Sequence, residues 1–301
     1  MLTSNSRSFH DEIRSNKIKS LVLVTFFILL AGSLGSVVGV LMGNLIFGLL
    51  FTLIFSLIYT LIAYYSGGSI VLSLSGARPV TKKEFPHLYH AIDGLSVAAG
   101  IPSPKAYVIE DSALNAFATG RDPQNSYVVV TTGLLKVMNR QELEGVIAHE
   151  MSHIKNYDIR FMMLTTVLIG IVTLLSDVIL RSFLWHRKDD SKSNAAMAFI
   201  LLGLVLAVLA PIIGQIIQLA ISRKREFLAD STGAMMTRYP PGLASALKKI
   251  AKDPDPLVDT ANRATAHLYI STPFRKTRGA VVNLFSTHPA IEERIKRLEE
   301  M

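Results

Sequence analysis

The stretch His149-Glu150-Met151-Ser152-His153 decides how this chain is interpreted, because it spells His-Glu-x-x-His. On a helix, two histidines four positions apart project from one face, as two ligands of one metal ion must. The glutamate beside the first histidine can then reach the water that such a metal holds. The surrounding residues 141–156 contain no proline and place four apolar residues at helical spacing: Leu143, Val146, Ile147 and Ile154. The pattern predicts a metal-binding helix and is typical of zinc hydrolases.

The composition indicates a membrane protein. Half of the 301 residues are hydrophobic, and four stretches have the length of about 20 apolar residues that spans a bilayer. Asp177 is the only formal charge inside these stretches, which cover roughly 21–40, 45–65, 161–180 and 195–221. The first is longer than a signal-peptide core, so we interpret it as an uncleaved anchor. We therefore expect four hydrophobic helices.

The lysines and arginines near the spans predict the orientation. Four of them precede the first span, namely Arg7, Arg14, Lys17 and Lys19. The link 41–44 after that span contains no lysine or arginine. The positive-inside rule then places the N-terminus, and the segment after the second span, in the cytoplasm. The link between the third and fourth stretches is also basic, which disagrees with four full crossings. Either the rule is violated there, or these two stretches enter the bilayer without crossing it.

The charge and the cysteine count narrow the class of partner. Basic residues near span ends, which anionic headgroups attract, explain the net charge of +8. The sequence has no basic motif interleaved with aromatic residues, so we expect no nucleic-acid binding. With no cysteine, disulfides and cysteine metal ligands are excluded, which suits a cytosolic catalytic face. The lipid bilayer is the partner that composition predicts.

The order of the segments predicts the domain organisation. Residues 1–66 hold the N-terminal tail and two transmembrane helices, 67–160 and 222–301 are two parts of one catalytic domain, and 161–221 form a hydrophobic helical hairpin. Within 67–160 we predict the following elements: a strand at 69–75, a helix at 82–99, strands at 106–110 and 127–132, and Asn139 as N-cap of the pentad helix. The expected fold class is an α+β integral membrane protein, mainly α-helical, with a small edge sheet beside a zincin-type helix.

A catalytic zinc ion takes three protein ligands and leaves one position for water, so a third ligand is needed. Glu226 is the best candidate, in the segment Ser222-Arg-Lys-Arg-Glu-Phe-Leu-Ala-Asp230. Glu226 and Asp230 lie four positions apart on one helical face, and Asp230 could hold the ring N–H of a ligand histidine. The alternative is an ordinary amphipathic helix whose basic residues pair with these carboxylates. Asp158, five residues after His153, falls off the ligand face and is assigned no role.

Together with the late Thr287-His288-Pro289, these segments resemble the HtpX-type membrane metalloproteases. Those proteins are heat-shock quality-control zinc endopeptidases related to the prenyl-protein CAAX endopeptidases. The resemblance covers nearly the whole chain, and no motif position departs from it. It implies one zinc ion held by His149, His153 and Glu226, with Glu150 as the general base.

The same resemblance assigns roles to further residues. The segment 114–120 is similar to the family's active-site edge strand, so Asn115, Ala116 and Phe117 are expected to bind an extended substrate. The alternative for Asn115 is a turn asparagine. His288 is similar to a histidine that donates to the oxyanion, the alternative being a histidine at a helix start. Arg294 could pair with Asp230 or orient His288.

The expected function is therefore a zinc metalloendopeptidase of the bacterial plasma membrane, with its catalytic face in the cytoplasm. It would cleave misfolded or damaged membrane proteins, or unfolded polypeptides, in stress-linked quality control. A CAAX-type processing protease is one alternative, although that family usually has more spans. A membrane metal transporter would place its ligands inside the spans, and a non-catalytic scaffold would not need an intact Glu150.

Overall fold

The computed structural model describes residues 9–41, 43–185, 205, 223–253, 268–270 and 289–301. The elements within these ranges are, in chain order, α1 (Phe9–Leu41), α2 (Leu45–Leu74), β1 (Arg78–Pro79), α3 (Pro86–Ala99), β2 (Lys105–Ile109), β3 (Ala116–Asp122), β4 (Asn125–Thr131), α4 (Thr132–Val137), α5 (Arg140–Lys155), α6 (Asp158–Trp185), α7 (Arg223–Thr237), α8 (Pro240–Ala251) and α9 (Ile291–Glu299).

The chain divides into two compact units. The mixed unit, which carries the sheet, contains Met1–Lys17, Gly67–Met163 and Gln218–Met301, and the helical unit contains Ile18–Ser66 and Leu164–Ile217. Among the described residues, two helical segments are long and apolar enough to cross a membrane, Asp11–Ser36 and Leu45–Leu74. The third expected stretch falls within α6, and the fourth lies outside the described residues except for position 205. The fourfold domain division stays a prediction.

Within the helical unit, α1 and α2 approach each other through glycines. A Cβ at Gly48 would lie 2.4 Å from the carbonyl oxygen of Gly35 and 2.5 Å from the Cα of Gly39. Only glycine permits so close an approach, as is common where helices pack inside a bilayer. Elsewhere the two helices expose large apolar side chains, including Leu21, Phe47 and Ile54. An apolar surface of this kind suits contact with lipid.

The mixed unit contains a four-stranded sheet in the order β1-β2-β4-β3, in which β2 and β4 are parallel and the other pairs antiparallel. Strands β2 and β4 confirm the predictions for 106–110 and 127–132 within two residues. The strand predicted at 69–75 is wrong, because α2 continues to Leu74. The helix predicted from residue 82 begins at Pro86 instead, because proline has no N–H to lose in a first helical turn.

Helix α5, which carries the pentad, is organised by its own cap and core. As predicted, Asn139 is its N-cap, and its side chain accepts from the backbone N–H of Glu142 while the Glu142 carboxylate accepts from that of Asn139. Such a reciprocal pair satisfies two donors that a helix start otherwise leaves open. Packing against α3, α7, α8 and β3 then buries α5 on most of its surface.

Candidate metal centre

Two packed helices, α5 and α7, bring together three side chains that could hold a metal ion. The Nε2 atoms of His149 and His153 lie 3.3 Å apart, and each lies 3.7 Å from a carboxylate oxygen of Glu226. All three residues are buried, and their donor atoms fall within 4.8 Å of one another. The two histidines converge because they are one helical turn apart. Glu226 joins them because α7 packs directly on α5.

These separations fit a zinc ion. Zinc binds histidine nitrogen and carboxylate oxygen at about 2.0–2.2 Å in tetrahedral geometry, which puts neighbouring donor atoms about 3.3–3.6 Å apart. The distance between the two histidine nitrogens lies in that range, and the distance from each nitrogen to a different oxygen of Glu226 is within about 0.1 Å of it. The residues present therefore fit such an ion without rearrangement of the helices.

The outer nitrogen of His149 is held by Asp230 and Arg294. Nδ1 of His149 lies 2.9 Å from Oδ1 of Asp230. Arg294 donates to both Asp230 oxygens, at 2.9 and 2.7 Å, and to the carbonyl of Ile270 at 3.1 Å. Burial alone would raise the pKa of Asp230, but the charge of Arg294 and the contact with His149 outweigh it and lower that pKa to about 2. Asp230 is therefore ionised across the physiological range.

The outer nitrogen of His153 is held by Asp158, a residue for which the sequence predicted no role. Nδ1 of His153 lies 3.0 Å from Oδ2 of Asp158, so the placement of Asp158 off the ligand face was wrong. The position of Asp158 cannot be deduced from the helical spacing of α5, because α5 ends at Lys155 and the chain turns at Asn156 and Tyr157. Tyr157 has φ = 61°, in the left-handed region, and this turn returns Asp158 to His153.

Two further side chains missed by the sequence analysis contact Asp158. Asn16, on the N-terminal part of α1 within the mixed unit, donates to Oδ1 of Asp158 at 2.6 Å. Arg225, beside Glu226 on α7, lies 3.2 Å from the same oxygen. All three are buried. Their sequence separation carries no periodic signal, so only the folded chain reveals the cluster.

Burial and neighbouring charges together shift the pKa values of Glu150 and His153 when no metal is bound. Burial raises the pKa of the Glu150 carboxyl to about 7, an effect that the charge of His153 opposes. Burial lowers the pKa of His153, but the hydrogen bond to Asp158 and the charge of Glu226 outweigh it and raise that pKa to about 9. Oε1 of Glu150 is buried and has no hydrogen-bond partner among the described residues. This oxygen is available to a group inside the site.

The segment expected to bind substrate begins the edge strand β3. Asn115, Ala116 and Phe117 are all nearly inaccessible, at 2, 1 and 0% exposure. Part of that burial comes from the chain itself, because the N–H of Ile270 donates to the carbonyl of Ala116 at 2.9 Å and Tyr269 packs on Phe117. The described segment Leu268–Ile270 thus occupies one backbone acceptor of the edge. His288, the expected oxyanion donor, lies outside the described residues.

Comparison with known proteins agrees with this geometry. The sequence profile of peptidase family M48 matches residues 82–301, which include both helices of the site. The chain belongs to peptidase family M48. As an M48 member it is a metalloendopeptidase, and the two described helices that are long and apolar enough to cross a membrane agree with a membrane protein.

Several M48 relatives match almost the whole chain. A protease HtpX homolog of Dictyoglomus turgidum is 45% identical over 98% of this chain and 95% of its own length. One of Tropheryma whipplei is 43% identical over 96% and 97%. Among solved structures, Ste24p of S. mikatae matches 94% of this chain with a TM-score of 0.50 and 20% identity. The chain spans 65% of the length of Ste24p, and at this identity the likeness concerns the fold alone.

Proposed function

We propose that this M48 member is a zinc endopeptidase in which His149, His153 and Glu226 hold the ion. The observation that carries the proposal is the convergence of two ring nitrogens and one carboxylate at 3.3–3.7 Å, close to the donor spacing of a tetrahedral zinc site. The Glu150 carboxyl belongs to the same buried cluster, since the charges of His153 and Glu226 both act on its pKa. One zinc ion per chain is proposed, since the described part of the chain contains one such set of three side chains.

A zinc ion held by His149, His153 and Glu226 would supply Lewis-acid chemistry, polarising a peptide carbonyl and lowering the pKa of water toward 7. Glu150 then acts as general base, since its carboxyl oxygen Oε1 can accept a proton from the attacking water. The same carboxyl returns that proton to the amine nitrogen that leaves. His288 is proposed to donate to the oxyanion, in accord with the resemblance to HtpX-type proteases.

Asp230 and Arg294 are proposed to orient His149 rather than to touch substrate. A carboxylate on the outer nitrogen of a ligand histidine fixes its tautomer and ring orientation. Arg294 holds that carboxylate in place through two hydrogen bonds and keeps it ionised. Arg294 was expected to pair with Asp230 or to orient His288. Arg294 contacts Asp230, and His288 lies outside the described residues.

Substrate is proposed to bind as an additional strand along β3, which is the edge of the sheet and packs on α5. Asn115, Ala116 and Phe117 mark the beginning of that edge. The N–H of Ile270 already donates to the carbonyl of Ala116. An extended peptide must therefore either displace Leu268–Ile270 or pair with the part of β3 that follows Ala116. Binding of this kind depends on hydrogen bonds to the peptide backbone, so it suits unfolded segments of many sequences.

We further propose that the substrates are misfolded or damaged membrane proteins, in stress-linked quality control at the cytoplasmic face of the plasma membrane. Asn16 lies before the first apolar stretch and contacts Asp158, next to the ligand helix. This contact supports a metal centre on the same side as the N-terminus, which the positive-inside rule places in the cytoplasm.

Purified full-length protein in detergent tests the catalytic part of the proposal. Zinc content and casein cleavage are measured for the unaltered chain, for Glu150→Gln and for Glu144→Gln, a partly exposed glutamate on the same helix. We expect Glu150→Gln to keep its zinc and lose cleavage, because it removes the base and spares the ligands. Glu144→Gln should retain both. Cleavage by Glu150→Gln at the unaltered rate would refute the mechanism.

Single cysteines test the orientation, because the natural chain has none. Val97→Cys, at a position 85% exposed in the mixed unit, should react with an impermeant thiol reagent only from the cytoplasmic side. Asn44→Cys, in the exposed link between α1 and α2, should react only from the outside. The reverse pattern would overturn the topology and with it the proposed substrates.

A further inference from the structure

The N-terminal arm, which we define as residues 9–17, is the part of α1 that belongs to the mixed unit. It contacts the turn between α5 and α6 at three points. Asn16 donates to the carbonyl of Asn156 at 2.9 Å and to Oδ1 of Asp158 at 2.6 Å. Lys17 places its ammonium 4.4 Å from the centre of the Tyr157 ring. The arm is therefore joined to the residues that directly follow the second histidine ligand.

Asp158 occupies the same relation to His153 that Asp230 has to His149. Each aspartate lies about 3 Å from the outer Nδ1 of its histidine, while the Nε2 atoms face each other. Histidine ligands nearly always have a carboxylate, carbonyl or water on the second nitrogen, because that contact fixes the tautomer and makes the ligand a better donor. Asp158 meets this requirement for His153.

The surroundings of Asp158 fix its own position. One oxygen faces His153, whereas the other is shared by Asn16 and by Arg225, the neighbour of Glu226 on α7. Asp158 is 0% exposed, so water cannot replace these contacts at low cost. A single carboxylate thus joins the arm, the helix of the two histidines and the helix of the third proposed ligand.

We propose that Asp158 is a positioning residue of the metal centre, and that the N-terminal arm tunes metal affinity by holding Asp158 through Asn16. This inference rests on the proposed zinc site. Neither residue touches substrate. The proposed route from the arm to the second histidine runs through the Asp158 carboxylate.

The test measures the zinc affinity of the metal-free, full-length protein in detergent by competition with a chelator. Asp158→Asn keeps the size of the side chain and should weaken zinc binding about 10- to 100-fold, as loss of such a partner usually does. Asn16→Ala removes its hydrogen bonds to Asp158 and to the carbonyl of Asn156. It should weaken zinc binding less, by about three- to tenfold, because only the bond to Asp158 bears on the histidine. The double variant should bind no more weakly than Asp158→Asn, because Asn16 acts through Asp158.

Two exposed positions provide matched controls. Asp93→Asn makes the same chemical change on α3, and Arg14→Ala alters the arm two residues before Asn16. Both should bind zinc as the unaltered chain does. The unfolding midpoint of each metal-free variant is measured in parallel, so that a loss of affinity without unfolding separates positioning of the ligand from a general loss of structure.

Each outcome decides one part of the inference. Zinc affinity unchanged in Asp158→Asn would overturn the role of Asp158, and losses that multiply in the double variant would overturn the action of Asn16 through it. If Asp158→Asn does not accumulate as folded protein, Asn16→Ala decides alone, and unchanged affinity there refutes the arm's role. An unaltered chain that binds no zinc would refute the proposed function itself.

Discussion

Gly233 tests whether the contact between the two ligand helices sets metal affinity. It lies on α7, and a Cβ there would be 3.0 Å from the backbone nitrogen of His149 and 3.2 Å from the Cα of the same residue. Ordinary contacts begin at 3.4 Å, so in Gly233→Ala the helices must separate by a few tenths of an ångström. Glu226 is on the same helix and would move with it.

That displacement exceeds what a metal site tolerates, because ligand distances hold to within about 0.2 Å. Overpacking of this kind costs about 1–3 kcal/mol. If about 1.4 kcal/mol of that cost falls on the zinc-bound state alone, zinc affinity falls tenfold. We therefore expect Gly233→Ala to bind zinc about tenfold more weakly than the unaltered chain in chelator competition.

Gly94→Ala is the matched control for this prediction. It adds the same methyl group to a helix, α3, where nothing lies within 4 Å of the new Cβ. Alanine is the better helix residue by about 0.5–1 kcal/mol, so Gly94→Ala should raise the unfolding midpoint and leave zinc affinity unchanged. Equal zinc affinities for the two alanine variants would refute the reasoning, since helix separation would then not reach the ligands.

Three further predictions concern the centre itself. Glu226→Ala should lose metal as well as cleavage, and one zinc per chain after dialysis would show that the third ligand is wrong. Arg294→Ala leaves Asp230 buried without its guanidinium and should lower the free energy of unfolding by about 3–5 kcal/mol, so an unchanged denaturation midpoint would contradict the pairing. In the metal-free protein, the pKa of Glu150, raised from 4.5 to about 7, means that the folded state keeps a proton that the unfolded state has lost. Stability should therefore fall by about 3 kcal/mol as pH rises between those values. Glu150→Gln should then have a higher unfolding midpoint than the unaltered chain at about pH 8 and not at about pH 4, and equal midpoints at both would refute the shift.

The sequence predicted best what depends on local spacing. The pentad helix and its cap, Asn139, follow from side-chain periodicity and from the chemistry of a helix start, and the structure confirms both. Strand β4 follows from a run rich in valine and threonine, which favour extended backbone, and β2 from the short extended segment after Pro104. Such signals lie within a dozen residues of the element that they specify.

The errors arise where local spacing gives two answers or none. Residues 69–75 alternate polar and apolar side chains over part of their length, which fits a strand, yet they end α2 because the helix already runs into them. Asp158 was excluded by extending helical spacing through a turn in which Tyr157 has a left-handed backbone. Asn16 and Arg225 are separated from Asp158 by 142 and 67 residues, so no local pattern includes them.

The cap of α5 bears on whether the protein folds before it binds metal. Besides closing the helix start, the Glu142 carboxylate accepts from Ser245 and Lys249 of α8, at 2.7 and 2.6 Å. The helix that carries the two histidines is thus anchored at its opposite end, so we expect it to form without bound metal. Apo and holo molecules should share one fold and exchange without passing through the unfolded chain. Zinc supply would then set how many molecules are active, while leaving unchanged how many are folded.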